Sequence, residues 1–167
     1  KGYILKSKVA SIQKAKRTIP GEIVGIFYEN RGVYGYIEKN TSYGIYGQLD
    51  RSKIDKSRQA LPIGLNSDIK EGPAKIFTTV EDNKIEEFDI EIQKVIRQTS
   101  AEPKSMIIKV TDKKLLEKTG GIVQGMSGSP IIQDGRLIGA ITHVLVNDPT
   151  RGYGISIEWM LNESNKR

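Results

Sequence analysis

Phe88, Ile90 and Ile92 alternate with Asp89, Glu91 and Gln93. A period of two puts every apolar side chain on one face of an extended chain and every polar one on the other, which suits a half-buried strand and no helix. Asp82-Asn83 precedes this segment and an apolar run at 74–80 precedes that, so the three together predict a tight hairpin. The rest of the chain varies the theme. Seventeen glycines punctuate short apolar runs, the punctuation of sandwiches and barrels. Residues 3–12 alternate loosely, Pro20-Gly21 sets a turn before a strand at 23–28, and strands at 33–37 and 43–49 flank Lys39-Asn40-Thr41-Ser42. Residues 50–73, mostly polar and rich in turn formers, read as a connector. Strands are predicted at 84–96, 104–110, 130–133 and 136–145, the last two joined by Asp134-Gly135, a strong hairpin dipeptide. One short helix is predicted over 112–118, with Thr111 or Asp112 as its N-cap and Gly120-Gly121 as its stop. Residues 153–160 are expected to close the sheet, and 162–167 to trail as a polar tail. The expected fold is all-β, in two connected barrels or half-barrels, with residues 1–49 in the first and 74–161 in the second.

Composition narrows the chemistry. A chain of 167 residues holds one domain or two small ones and can bury a real core. No apolar run approaches the roughly eighteen residues of a membrane span, so no transmembrane helix is expected. The absence of cysteine excludes disulfides, thiolate zinc sites and cysteine nucleophiles, and a single histidine, His143, excludes multi-histidine metal centres. No metal or organic cofactor is suggested. Twenty-six basic residues against twenty acidic ones give a net charge of +6 and a pI near 9.4. The two signs are interleaved, which reads as solvated surface charge and not as a nucleic-acid-binding face. The chain opens on Lys1, not Met, and the expectation is a mature, trimmed or engineered fragment with no signal peptide.

One stretch stands apart: Gly125-Met126-Ser127-Gly128-Ser129-Pro130, running into the Asp134-Gly135 hairpin. A nucleophilic serine has to project from a tight turn whose backbone N–H groups converge on the oxygen of the attacked carbonyl. Glycine on both sides permits that backbone and keeps side chains out of the substrate's path. Proline then ends the turn and opens a strand. An ordinary Gly/Ser-rich loop between strands would have a similar composition. The pattern is not the nucleophile elbow of the α/β-hydrolases, which needs glycine where Ser129 stands and a strand–turn–helix around it.

Gly-Met-Ser-Gly-Ser-Pro resembles the Gly-Asp-Ser-Gly-Gly-Pro signature of trypsin-like serine peptidases. The order downstream is also similar: Ile131-Ile132, Gly135, residues 139–144, Gly152-Tyr153-Gly154 and Trp159-Met160-Leu161. Residues 121–130, Gly139-Ala140-Ile141-Thr142-His143-Val144 and Val146-Asn147-Asp148-Pro149-Thr150 closely resemble the peptidase domain of the stage IV sporulation protein B family, signalling serine peptidases of endospore-forming bacteria. Pro20-Gly21-Glu22 and residues 37–45 resemble upstream segments of the same family, so the likeness spans nearly the whole chain. The resemblance implies a trypsin-like double β-barrel, here with an incomplete N-terminal barrel, and an endopeptidase acting through an acyl-enzyme. It implies Ser127 as nucleophile, the N–H groups of Gly125 and Ser127 as the oxyanion hole, and Thr142, His143, Val144, Gly152 and Gly154 at the substrate. It further implies export from the forespore into the intermembrane space, and cleavage there of a membrane-associated regulatory protein that restrains a membrane-embedded protease.

A serine hydroxyl needs a base, and the partners of Ser127 are harder to read. If Asp134-Gly135 form a two-residue turn, Gln133 pairs with Arg136, and extending the ladder sets Thr142 opposite Ser127 and His143 opposite Met126, its side chain on the other face. His143 can then be read as the base, as a pocket residue or as a packed structural histidine. In the resembled family the catalytic histidine lies upstream of everything in this sequence. Asp112 matches the acidic member of that family's proposed histidine–aspartate–serine set, and it also reads as a plain helix N-cap. Ser129 is the rival hydroxyl, better suited to starting a strand. Two functions stay open at this point: a serine endopeptidase of sporulation signalling, and a non-catalytic β-domain that binds a peptide in a peptidase-like cleft. An incomplete first barrel is expected to leave an unpaired sheet edge and to favour self-association.

Overall fold

The alternation at Phe88 to Ile92 is realised in β7, Lys84–Val95, whose inward residues Phe88, Ile90 and Ile92 are 2% exposed or less. Its hairpin partner β6, Gly72–Glu81, runs antiparallel from Gly72↔Ile92 to Glu81↔Lys84 and buries Ala74, Ile76, Thr78 and Val80. The computed structural model describes residues 2–28, 32–57 and 59–165. Around this hairpin it places β8 (Met106–Val110), β9 (Pro130–Gln133), β10 (Arg136–Leu145) and β11 (Asp148–Ser156), which close into a barrel in the order β10-β11-β8-β7-β6-β9. Closure joins β6 to β9, and the strands fill the interior with Ile76, Ile90, Met106, Ile108, Ile131 and Ile141, each 2% exposed or less. Asp134 and Gly135 both adopt positive φ, 50° and 73°, the turn that a two-residue hairpin with natural twist requires.

The upstream residues form two open sheets. β1 (Gly2–Leu5), β4 (Val33–Thr41) and β5 (Gly44–Leu49) make one in the order β1-β4-β5; β2 (Ser7–Gln13) and β3 (Glu22–Phe27) make the other. The all-β expectation, a complete second barrel with an incomplete first, is what the structure contains. The connector is not slack. Asp50 caps a 3-10 turn at Arg51–Lys53, and farther on Gly64 N–H donates to the Leu137 carbonyl while Leu137 N–H donates to that of Pro62, lacing the segment to β10.

Four expectations are corrected. Residues 3–12 break at Lys6 into two strands that join different sheets. The predicted turn at 39–42 falls at Ser42-Tyr43, because β4 runs on to Thr41 and β5 starts at Gly44. The closing strand begins at Asp148, not Tyr153, since Leu145↔Asp148 pair across Val146-Asn147, a turn without glycine. The chain after Ser156 is α2, Ile157–Asn165, in place of a strand end and a polar tail. Trp159 Nε1 donates to Gln98 Oε1 at 2.9 Å and Asn66 N–H donates to Glu158, so tertiary partners, not periodicity, hold this helix. Residues 166–167 of the expected tail lie outside the described residues.

The other helix is where it was expected. α1, Lys113–Thr119, starts at the Asp112 cap and ends at Gly120, whose φ of 74° stops it. Two ion pairs tie it to the β6–β7 hairpin, Lys118–Glu81 at 2.8 Å and Lys114–Glu86 at 2.6 Å. The Lys118 and Lys114 ammonium groups hold the carboxyls of Glu81 and Glu86, respectively, below their ordinary range.

Gly154 lies in the barrel wall with its Cα toward the core. A Cβ there would meet Ile131 Cδ1 at 2.7 Å and Met106 Cγ at 3.1 Å. It lines the interior, so a side chain at this position acts on packing first. Gly154→Leu is expected to lower stability by about 1–3 kcal/mol or more through overpacking, seen as a lower urea midpoint at unchanged slope. A midpoint equal to wild type would show that the wall yields without cost.

Candidate active site

The serine loop is built by successive clamps. Gly121 has φ +137°, and a Cβ there would lie 2.2 Å from the Pro149 carbonyl oxygen, so glycine lets the chain lie flush on β11. Ile122 N–H donates to that same carbonyl at 2.7 Å. Next, Gln124 N–H donates to Gly21 O at 2.9 Å and Ile23 N–H to Gln124 O at 2.8 Å, which fastens the loop to the Pro20-Gly21 turn and the start of β3. Met126 drives its side chain into the core at 0% exposure. Around this anchor Met126 N–H bonds to Val123 O at 3.1 Å and Ser129 N–H to Met126 O at 2.9 Å, two turns in succession. Gly125 and Gly128, with φ of 99° and 89°, occupy the left-handed positions between them. The loop is finally clipped to β10, Gly128 N–H to Ile141 O at 2.8 Å and Ile141 N–H to Ser129 O at 2.9 Å.

Ser127 is carried, exposed, at the top of this double turn. Among the described residues, no hydrogen bond engages the N–H of Gly125 or of Ser127. An exposed hydroxyl with two uncommitted donors from one rigid turn is the equipment for attacking a carbonyl and holding the resulting oxyanion. The hydroxyl itself donates to Thr142 O at 2.9 Å. A peptide carbonyl cannot take the proton, so in this arrangement the serine is positioned and not activated.

Counting along the hairpin set Thr142 opposite Ser127 and His143 opposite Met126; the ladder instead slips by one residue at a β-bulge between Leu137↔Ile132 and Gly139↔Ile131, so that register is not kept, and Ser127 reaches the Thr142 carbonyl through its hydroxyl. His143 stands exposed on β10 opposite Tyr153, with no hydrogen bond to Ser127 among the described residues. The Thr142 hydroxyl donates to Pro103 O at 3.0 Å and Tyr153 O at 3.2 Å. Val144 packs against the core. Gly152 is buried, its Cα against His143 O and Ile122 Cδ1. Pairing with β9 stops at Ala140↔Pro130, so past the serine loop that edge of β10 has no strand beside it among the described residues.

Asp112 is placed away from this group in bonding terms. Its Oδ1 accepts from Leu115 N–H at 2.9 Å and its Oδ2 from Asp89 N–H at 3.4 Å, while its own N–H donates to Asp89 O. No hydrogen bond joins it to Ser127 or His143 among the described residues. Sequence reasoning missed Ile23, whose Cβ comes within 3.0 Å of a Cβ built at Gly125 and so braces that turn. It also missed a cleft of about 910 Å³ beside Gly125 and residues 128–130, walled by Phe27, Leu61, Phe77 and Ile85. Neither follows a period that could have announced it.

The comparisons with known proteins bear on family and fold. The model of the family described as SpoIVB peptidase S55 matches residues 1–161. The Rv3671c protease of M. tuberculosis is similar in structure: its active form superposes with a TM-score of 0.56 at 13% identity, covering 93% of this chain and 70% of that one. Its inactive form gives 0.55 at 12%, covering 93% and 85%. At such identities the likeness is one of fold. The search of curated proteins finds no match.

Capping and catalysis at Asp112 separate by substitution. Asn caps as well as Asp, whereas Ala costs about 1 kcal/mol. Asp112→Asn keeps the cap and gives up only the long bond from Asp89 N–H, so it is expected to lower the thermal midpoint less than Asp112→Ala. If Asp112 also orients an imidazole in the complete enzyme, Asp112→Asn loses on the order of 10⁴-fold in kcat. Retained turnover in Asp112→Asn would leave it a cap alone.

Proposed function

Because the chain belongs to the SpoIVB peptidase S55 family and is a serine peptidase, we propose that Ser127 is its nucleophile, acting on a protein substrate through an acyl-enzyme. The observation that carries this reading is the exposed Ser127 hydroxyl beside the uncommitted N–H groups of Gly125 and Ser127 on one clamped turn. In the first step Ser127 Oγ leaves the Thr142 carbonyl, gives its proton to an imidazole and attacks the peptide carbonyl. The two N–H groups receive the oxyanion. Collapse expels the amine, which takes the proton back from the imidazolium, and water then hydrolyses the ester by the reverse path.

The imidazole in this scheme is supplied from outside the 167 residues, as the resemblance implies, because His143 is the only histidine and makes no bond to Ser127. Residues 1–49 are read as the rest of the first barrel, 50–73 as the connector and 74–161 as the second barrel. Thr142, His143 and Val144 are read as the substrate side of the site, with Gly152 and Gly154 behind them in the barrel wall, and the free edge of β10 pairs an extended peptide by main-chain hydrogen bonds. The family resemblance supports a role in sporulation signalling: action in the intermembrane space after export from the forespore, on a membrane-associated regulatory protein.

The open sheets suggest a second property. β1-β4-β5 and β2-β3 keep unpaired edges among the described residues, and Tyr3, Tyr36, Ile45 and Leu49 are more than half exposed on the first. Self-association of the 167-residue chain through such an edge is expected. A monomeric mass in light scattering across a hundredfold range of concentration would contradict it.

The nucleophile is tested with a fluorophosphonate probe. The 167-residue chain is expected to stay unlabelled, and the longer protein with its upstream histidine segment to be labelled. Ser127→Ala should abolish that labelling and Ser129→Ala should keep it. Prompt labelling of the short chain would overturn the assignment of the base and point to His143.

A further inference from the structure

The segment between β2 and β3 touches the chain just past the strand that receives Ser127. The serine hydroxyl donates to Thr142 O, and farther along, beyond the end of β10, Val146 O accepts the Thr18 N–H at 3.0 Å. That N–H belongs to a tight turn at 16–19, closed by Lys16 N–H to Ile19 O and Ile19 N–H to Lys16 O, both at 2.9 Å. The turn is anchored from behind as well, because Ala15 is 6% exposed and its N–H donates to Thr119 O. Thr18 is held at φ 67°, a left-handed backbone that a β-branched residue rarely adopts and that gathers at ligand clamps and other functional sites. Lys14, Lys16 and Arg17 are all exposed. Among the described residues none of these three forms an ion pair. Asp148, two positions past Val146, is bonded instead to Thr150.

We infer that the 16–19 turn is a docking site for an acidic stretch of the protein substrate, with Lys14, Lys16 and Arg17 meeting carboxylates on the amino-terminal side of the attacked bond. The inference rests on the assignment of Ser127 as nucleophile and on a peptide pairing with the free edge of β10, and adds to them the charge of the substrate. Its ground is placement and charge together. A peptide antiparallel to β10, with its attacked carbonyl over Ser127, runs its amino-terminal side from Thr142 towards Val146. At about 3.3 Å per residue the fifth and sixth residues before the bond arrive at the turn. Three cations without counter-charges, on a chain of net charge +6, attract carboxylates there and repel lysines. The clamped turn holds its backbone in place before the substrate arrives, which spares the ordering that a mobile loop would require. An exposed charge pair is worth a factor of about 1.4–5, so two or three together make a several-fold difference.

The test uses the complete protein and the p-nitrophenyl esters of acetylated hexapeptides that end in four alanines and begin with two glutamates, two glutamines or two lysines. Nitrophenolate leaves as Ser127 Oγ takes the acyl group, so its release reports acylation, and ratios of kcat/KM among the esters are independent of the folded fraction. Wild type is expected to favour the glutamate ester over the glutamine ester by about fivefold at low salt. The preference should shrink near 1 M salt, where the screening length falls to about 3 Å. Lys16→Glu combined with Arg17→Glu should reverse the order and favour the lysine ester. Lys94→Glu combined with Arg97→Glu makes the same change in net charge at exposed positions at and just past the end of β7, and should keep the wild-type order. Equal kcat/KM for the three esters in wild type, or an order changed alike by both double variants, overturns the inference. Release unaffected by Ser127→Ala would instead remove the nucleophile on which it stands, an outcome distinct from the other two.

Discussion

The barrel closes through two residue pairs, Lys75↔Ile132 and Ile76↔Ile131, where β6 meets β9. Much else follows from how short that seam is. β9 is only four residues long, so the chain before Pro130 cannot continue along the wall and must arrive from the side. It does so as the serine loop, and the seam sets where that loop meets β10. Ile131, at 0% exposure, serves both roles: it pairs in the seam and fills the space in front of Gly154. A rigid closed sheet thus delivers a turn to one place on its rim, the arrangement that a reaction needing sub-ångström placement of a hydroxyl requires.

The loop then divides its labour between residues that hold and residues that act. Met126, Ile122 and Val123 are buried and hold; Gly125 and Ser127 are exposed. This division within six residues explains why Met126, directly before the serine in this chain, is apolar. It also explains why an exposed Ser127 can be fixed so firmly with only one side-chain hydrogen bond.

What the sequence disclosed depended on how local its cause was. The β6–β7 hairpin, the Asp134-Gly135 turn, α1 with its cap and the serine loop are each specified by neighbouring residues, through period, turn chemistry or capping. They were legible. Val146-Asn147 reverses the chain without a glycine, and Asp148, which reads as a turn residue, supports the turn afterwards by accepting from Thr150; the start of the strand at Asp148 is set by its pairing with Leu145. α2 exists because Gln98 and Asn66 lie where its first turn lands, sixty to ninety residues away in sequence. The bulge near Ile138 and the packing of Ile122 over Gly152 likewise come from strands brought together late, beyond the reach of any local pattern. Asp112 was ambiguous for a physical reason: a carboxylate that caps a helix and one that orients an imidazole call for the same residue.

The two hydrogen bonds between Gln124 and the Gly21–Ile23 turn join positions roughly a hundred residues apart, and contacts of such separation form only after the intervening chain has been gathered. The serine loop therefore leans on the start of β3, although its own residues lie about a hundred positions downstream. Loosening that early segment would slacken the support of Ser127 without touching a residue of the serine loop.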